Sequence, residues 1–119
     1  MPWNLSNDRP IYLQLVEHIK LQILSGKYSC GEHFPAVREL AAEASVNPNT
    51  MQRALVELEQ EGLLINERTS GRSVTTDHSM IQNMKEDMAN EIFLQFKQSL
   101  SRLGFAEEDI REFIMKEYH

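Results

Sequence analysis

The chain has 119 residues, 41% of them hydrophobic, which is enough for one core with a small appendage but not for two full domains. No apolar run reaches the roughly 18 residues of a membrane-spanning helix, and the N-terminus lacks the basic and apolar segments of a secretory signal. The single cysteine excludes an internal disulfide and a cysteine-based zinc site. These observations favour a cytoplasmic protein with no membrane partner.

The net charge of −6 argues against a nucleic-acid partner, because neutralising phosphates is the main sequence-independent source of affinity for DNA. The acid is unevenly placed, however. Residues 1–76 carry 7 Lys or Arg and 9 Asp or Glu, whereas residues 77–119 carry 5 and 9. The charge of the whole chain affects solubility and long-range steering more than it affects one local face. Whether a face can bind DNA therefore depends on where the cations lie.

The first predicted element is an amphipathic helix that starts at Pro10, a residue suited to a first helical turn. Its apolar residues recur at helical spacing until Ser25-Gly26 interrupts the pattern, and Tyr12 lies beside them. Residues 30–32 read as a turn. A short second helix then opens at Pro35 and reaches Ala44, and its alanines allow close packing.

The third predicted helix has the clearest local signal. Asn47 is a good N-cap, and Pro48 stands at the first helical position, where proline is best tolerated. The buried stripe follows at i, i+3, i+4 and i+7, namely Met51, Ala54, Leu55 and Leu58. Three polar residues near the N-terminal end lie outside this stripe: Asn49, Gln52 and Arg53.

Beyond Gly62, where the third helix ends, the sequence predicts a β-hairpin. Its strands are two short β-prone runs at residues 63–65 and 73–75, and residues 66–72 form a polar connection. Gly71 permits a tight turn in this connection, and Arg68 and Arg72 lie near its tip.

This order of elements is that of a winged helix-turn-helix domain, which we place at residues 1–76. A helix fits the major groove of DNA, where Asn or Gln can pair with adenine and Arg with guanine, and the free N–H groups of its first turn favour anions. Asn49, Gln52 and Arg53 are therefore the expected base readers. The alternative is that they form a merely solvated helix face.

Three motifs with short spacings resemble the GntR family of transcription regulators. They are residues 34–41 (FPAVRELA), 46–55 (VNPNTMQRAL) and 58–64 (LEQEGLL), within a resemblance that covers about residues 10–75. The opening residues 10–15 (PIYLQL) and the short C-terminal part resemble the YtrA-like branch. That resemblance implies a two-helix dimerisation module in place of a large ligand-binding domain.

The resemblance also implies which residues contact DNA. One is Arg38 on the second helix, for which an ion pair with Glu39 or Glu43 is the alternative. The start of the third helix supplies the others: Asn49, Thr50, Gln52 and Arg53. Pro48 departs from the pattern, because many family members have an arginine there.

The hairpin supplies the last candidates for DNA contact. Gly71 corresponds to the wing-tip glycine of the family, and Arg68 and Arg72 lie close to it in sequence. Thr69 and Ser73 replace a wing glycine and a wing aromatic of the family. Solvated arginines without a DNA contact are the alternative for this region.

After Asp77 a second amphipathic region predicts two helices, with Gly104 ending the first of them. At about 1.5 Å per residue, a helix over residues 80–103 would be about 36 Å long, too long for the small winged domain to cover. We therefore expect residues 77–119 to form a dimerisation module in a homodimer. The predicted interface residues are Met84, Met88, Ile92, Phe96, Leu100 and Phe113. The alternative is a monomer in which both helices fold back on the winged domain.

The sequence contains no signature of an enzyme. It has no GxGxxG, GxxxxGK[ST] or HExxH motif and no Cys-His cluster. Its histidines lack the spacing of metal ligands: His18, His33, His78 and His119. We therefore expect no catalysis, no metal and no cofactor.

The sequence thus predicts a mainly α fold with a small β-hairpin. The leading hypothesis is a homodimeric transcription regulator, a repressor by resemblance, that reads an inverted repeat in double-stranded DNA. The competing hypothesis, favoured by the overall acidity, is a winged-helix protein-interaction module with incidental DNA affinity. The sequence identifies no small-molecule effector. The C-terminal arm is short for enclosing a typical ligand pocket of about 300 Å³ or more, and a pocket between two subunits is the alternative.

Overall fold

The computed structural model describes residues 3–118; Met1, Pro2 and His119 lie outside this range. Within it, five helices and one antiparallel hairpin confirm the predicted mainly α fold. The elements are α1 (Ile11–Leu24), α2 (Val37–Ala44), α3 (Pro48–Gln60), β1 (Leu64–Glu67), β2 (Gly71–Val74), α4 (His78–Arg102) and α5 (Glu107–Glu117). None of the helices in residues 3–118 combines the length and hydropathy that crossing a membrane requires.

The chain divides into two compact units between Gln82 and Asn83, within α4. The sequence predicts a boundary between two domains after residue 76, and this domain boundary stays a prediction.

The first unit is built around α3, which packs against both α1 and α2. Each helix buries the stripe that its periodicity predicts. The buried side chains are Leu15, Ile19 and Ile23 of α1, Leu40, Ala41 and Ala44 of α2, and Met51, Ala54, Leu55 and Leu58 of α3. Burying one Leu, Ile or Met side chain contributes about 1.5–3 kcal/mol, so this shared core fixes which face of α3 points outward.

The ends of α2 and α3 follow local chemistry. Ser45 ends α2 in the left-handed region, at φ 59°, and the N–H of Val46 then bonds the carbonyl of Ala41 at 3.0 Å. Two residues later, the side chain of Asn47 accepts a hydrogen bond from the N–H of Asn49 at 2.7 Å and so caps α3. The sharp turn between the two helices is thereby closed by backbone and side-chain bonds.

The hairpin is tighter than the sequence predicted. Leu64 pairs with Val74, both buried, and the ladder continues outward to the pair Glu67–Gly71. The connection is therefore residues 68–70 and not residues 66–72. Gly71 has a φ of 85°, which closes a three-residue turn that an L side chain would strain.

A third segment lies beside β2, where the sequence predicted only a turn. His33 forms an antiparallel bridge with Ser73, and the N–H of Phe34 donates to the carbonyl of Arg72 at 2.8 Å. Phe34 is buried next to Tyr28. The chain between α1 and α2 thus covers one edge of the hairpin and ties the wing to the helical core.

The second unit contains most of α4, together with α5. The pairing of Lys97 Nζ with Glu107 Oε1 at 3.0 Å links the two helices, and Ile110 of α5 is buried. At the start of α5, the carboxylate of Asp109 accepts from the N–H of Ala106 at 2.9 Å. Every residue of α4, which the structure describes in full, is at least partly exposed.

Within the first unit, Trp3 of the N-terminal segment contacts two helices. Trp3 stacks on the ring of His18 with centroids 3.9 Å apart, and its Nε1 donates to Glu43 Oε2 at 2.9 Å. Trp3 therefore links α1 to α2. Burial lowers the pKa of His18, and the charge of Lys27 lowers it further, whereas Glu43 acts in the opposite sense.

This shift predicts a pH dependence of stability. An unfolded histidine titrates near pH 6.5, whereas His18 in the folded protein titrates lower, so the unfolded chain takes up protons first as the pH falls. The stabilisation from His18 is present above about pH 6.5 and is lost as the pH falls through its lowered pKa. Urea unfolding measured from pH 7.5 to 5, with the fluorescence of the single tryptophan Trp3 as a local probe, should show this loss.

His18→Gln is the control for this prediction, because it removes the titrating ring and leaves the other histidines in place. The slope of unfolding free energy against pH should be shallower in this variant. Equal slopes in the two proteins would show that His18 is not the source of the dependence.

Candidate nucleic-acid interface

The N-terminal half of α3 presents a polar face opposite its buried stripe. Asn49, Gln52 and Arg53 are exposed and lie at i, i+3 and i+4, so their side chains share one face of the helix. Thr50, beside them, is half-buried. Because the apolar stripe of α3 is held between α1 and α2, this face is directed outward by the core.

The first turn of α3 is less open to anions than the sequence suggested. Pro48 has no N–H, the N–H of Asn49 is taken by the Asn47 side chain, and the N–H of Thr50 bonds the Asn47 carbonyl at 3.0 Å. An anion at this end of the helix would therefore be met by side chains and not by the amide groups of residues 48–50.

Arg53 is supported by an aromatic ring from another helix. Its guanidinium carbon lies 3.7 Å from the centroid of the Tyr12 ring on α1, a cation–π contact. In the part of the chain that the structure describes, no carboxylate lies within ion-pair distance of Arg53. Its charge is therefore uncompensated.

Gln52 is held from the wing. Arg72 on β2 donates through Nε to Glu59 Oε2 at 2.7 Å and through a terminal nitrogen to Gln52 Oε1 at 3.4 Å. The side chains of Arg72 and Glu59 are only 14% and 19% exposed. The structure thus directs Arg72 toward α3, with its charge paired with Glu59 and one terminal nitrogen near Gln52.

Arg38 lies exposed on α2, one residue after the helix begins. No carboxylate of residues 3–118 forms an ion pair with it. Glu43, one of its possible partners on sequence grounds, instead accepts from Trp3. The geometry therefore favours a free cation at Arg38 over an ion pair on the helix surface.

The hairpin tip contributes one further exposed cation. Arg68 is the first residue of the three-residue turn and has no ion-pair partner among the described residues. Gly71 closes the turn, and a Cβ added to it would lie 3.5 Å from the ring of His33. Three of the four candidate arginines, Arg38, Arg53 and Arg68, thus expose unpaired charges in a chain whose net charge is −6.

Two residues of the interface were absent from the sequence-based candidates. Tyr12 lies at the edge of the apolar pattern of α1, and Glu59 reads as one more surface carboxylate on α3. Their roles depend on neighbours 41 and 13 positions away, Arg53 and Arg72, and helical periodicity carries no signal for such pairs.

The predicted dimerisation residues leave an apolar surface on the second unit. Met84, Met88 and Leu100 of α4 are half-buried, whereas Ile92, Phe96 and Phe113 are exposed. Ile92 is 64% exposed, which is unusual for a side chain of this size and hydrophobicity.

Comparison with protein-family models matches residues 11–74 to the gntR family of bacterial regulatory proteins. Among curated proteins, the HTH-type transcriptional repressor YtrA of Bacillus subtilis is 33% identical over 97 residues, which span 82% of this chain and 70% of YtrA. These matches confirm the resemblance identified from the three sequence motifs.

Among solved structures, a GntR family transcriptional regulator from Listeria monocytogenes matches with a TM-score of 0.85 and 35% identity, over 94% of this chain and 98% of that one. The DNA-binding domain of AraR in complex with operator ORX1 matches with a TM-score of 0.55 and 29% identity, over 63% of this chain and 92% of that one. The winged helix-turn-helix fold is therefore confirmed.

The ion pair between Arg72 and Glu59 predicts a stability difference between two arginines of the hairpin. Arg72→Ala leaves a poorly exposed carboxylate without its partner, so we expect the free energy of unfolding to fall by about 1–3 kcal/mol. Arg68→Ala, at the exposed turn, should change it by no more than about 0.5 kcal/mol. Urea unfolding at one fixed protein concentration measures both, and equal effects would contradict the inward role of Arg72.

Proposed function

Since the chain belongs to the GntR family of bacterial regulatory proteins, whose members are DNA-binding transcription regulators and not enzymes, we propose that it is a repressor that binds an inverted-repeat operator as a homodimer. The observation that carries this proposal is the exposed polar face of α3, with Asn49, Gln52 and Arg53 directed away from the core. Bound over a promoter, such a dimer would act by excluding the polymerase.

The proposed roles follow the chemistry of each side chain. Arg53 reads guanine through O6 and N7, and Asn49 and Gln52 offer amides that suit adenine. Arg38 on α2 and Arg68 on the wing contact phosphates, which position the protein without reading sequence. Further support comes from the DNA-binding domain of AraR, which matches 63% of this chain and is solved with its operator.

The remaining candidates have supporting roles. Thr50 is half-buried at the start of α3 and presents its hydroxyl to a neighbouring phosphate. Gly71 shapes the wing turn that carries Arg68. Arg72, whose charge is paired with Glu59, lies beside Gln52, and we assign it to the positioning of that side chain at the interface with DNA.

The apolar surface of the second unit supports a homodimer. Ile92, Phe96 and Phe113 are 64%, 37% and 43% exposed, and covering the exposed part of each would contribute a corresponding share of the about 1.5–3 kcal/mol that full burial supplies. Met84, Met88 and Leu100 extend the same surface along α4. A two-fold dimer would present two copies of α3 to half-sites about 34–36 Å apart and would double every phosphate contact, which offsets the acidity of the chain.

Selection from a random duplex library with the full chain tests the operator. We expect enrichment of a two-fold-symmetric site, with affinity that falls steeply as salt rises. Gln52→Ala and Arg53→Ala should each relax the preference at one base position per half-site, by about 1–3 kcal/mol of discrimination.

Gln60→Ala is the matched control for the base readers, because Gln60 is exposed at the opposite end of α3. Its selected site should equal that of the wild type. Failure of the wild-type chain to select any duplex, while it is dimeric, would favour the protein-interaction alternative.

Sedimentation equilibrium tests the dimer. Ile92→Glu places a charge within the apolar surface of α4 and should shift the chain toward monomer, weakening binding to the full operator more than to a half-site. Gln98→Glu adds the same charge at another exposed position of α4 and should leave the dimer intact. A dimeric Ile92→Glu protein would show that the interface lies elsewhere.

A further inference from the structure

We propose that Tyr12 determines operator specificity by positioning Arg53: its ring holds the guanidinium in place while leaving the N–H donors of that group free for guanine. The inference rests on the proposed function, in which Arg53 is a base reader. It adds a residue of α1, outside the helix-turn-helix, to the groups that set which base is preferred.

The first argument is the geometry of the contact. A separation of 3.7 Å between the guanidinium carbon of Arg53 and the Tyr12 centroid is van der Waals contact with the face of the ring. A guanidinium is planar and directs its five N–H groups outward within that plane. Contact with a ring face therefore leaves those donors available, and a bidentate bond to O6 and N7 of guanine uses two of them.

The second argument is the contrast with Arg72. That arginine is held by a carboxylate, Glu59, which occupies its Nε donor and pairs its charge. A carboxylate at Arg53 would also repel the DNA phosphates. The neutral ring of Tyr12 holds Arg53 without removing its charge, and this is the arrangement that a base-reading arginine needs.

The third argument is that hydrogen bonds hold the start of α1, where Tyr12 lies. The buried side chain of Gln14, in the same first turns of α1, donates through Nε2 to the carbonyls of Ser6 and Arg9, both at 2.9 Å. The N–H of Ser6 donates in return to Gln14 Oε1 at 2.8 Å. The segment that leads into α1 is thereby closed onto the helix, so the backbone that carries Tyr12 is held in place.

The fourth argument is the space beside the contact. A shallow depression of about 600 Å³ lies beside this contact, and all the residues that line it belong to the first unit. Its lining joins the N-terminal ends of α1 and α3: Pro10, Ile11, Tyr12, Asn49, Thr50 and Arg53. Three of the proposed DNA contacts thus border the same open depression as the Tyr12 ring.

The test uses the full chain and duplexes that carry the site selected by the wild type, together with every single base-pair variant of that site. Tyr12→Leu keeps an apolar side chain in the helix but removes the ring. Discrimination should fall about three- to tenfold at the base position that Arg53→Ala also affects, and nowhere else, in keeping with the strength of a cation–π contact. Binding to unrelated duplex DNA should be unchanged.

Tyr12→Phe is the matched variant, because it retains the ring and loses only the hydroxyl. It should keep wild-type discrimination, whereas a loss in Tyr12→Phe equal to that in Tyr12→Leu would assign the effect to the hydroxyl and overturn the proposal. Tyr12→Leu combined with Arg53→Ala should discriminate no less than Arg53→Ala alone.

Four other outcomes are decisive. If Tyr12→Leu lowers discrimination at all positions together with the unfolding temperature, its role is structural and the inference fails. If it sharpens discrimination or tightens binding, the ring withholds Arg53 from DNA and the inference is reversed. If the wild type selects no duplex, the proposed function fails. If the wild type selects a site and Tyr12→Leu shows the same discrimination profile, only the inference about Tyr12 fails.

Discussion

The burial of one apolar stripe on α3 is the constraint on which the rest of the first unit depends. Met51, Leu55 and Leu58 are fully buried against α1 and α2, so α3 has a single orientation in the core. That orientation leaves the face of Asn49, Gln52 and Arg53 outward. The packing of the core therefore decides which side chains of α3 are exposed, and polar contacts then adjust them.

Those adjustments come from both sides of α3. Tyr12 of α1 contacts Arg53, and Arg72 of β2 contacts Gln52 while pairing with Glu59. Each contact joins residues from different elements, so it forms only after the helices and the wing have packed. Local sequence sets the helices, and tertiary contacts set the geometry of their exposed residues.

The predictions from the sequence agree best with the structure where interactions within one helical turn determine the fold. Asn47 caps α3 and Pro48 opens it as expected, because both effects act within one turn. The hairpin was predicted with a connection that was too long, since β propensity ends at the polar residues whereas the backbone ladder extends to Gly71. The DNA contact of Arg72 stays a prediction, whereas its pairing with Glu59 was not predicted, because that pair depends on a wing position that no local pattern encodes.

The contact between Arg72 and Gln52 also couples two positions that lie in separate elements of the fold. A substitution at position 52 alone leaves Arg72 oriented toward a side chain that no longer accepts its hydrogen bond, and a substitution at position 72 alone releases both Gln52 and Glu59. If Gln52 reads a base as proposed, a change of DNA preference at this position would therefore require paired substitutions in α3 and the wing. Positions 52 and 72 would then co-vary, although they lie in separate elements of the fold.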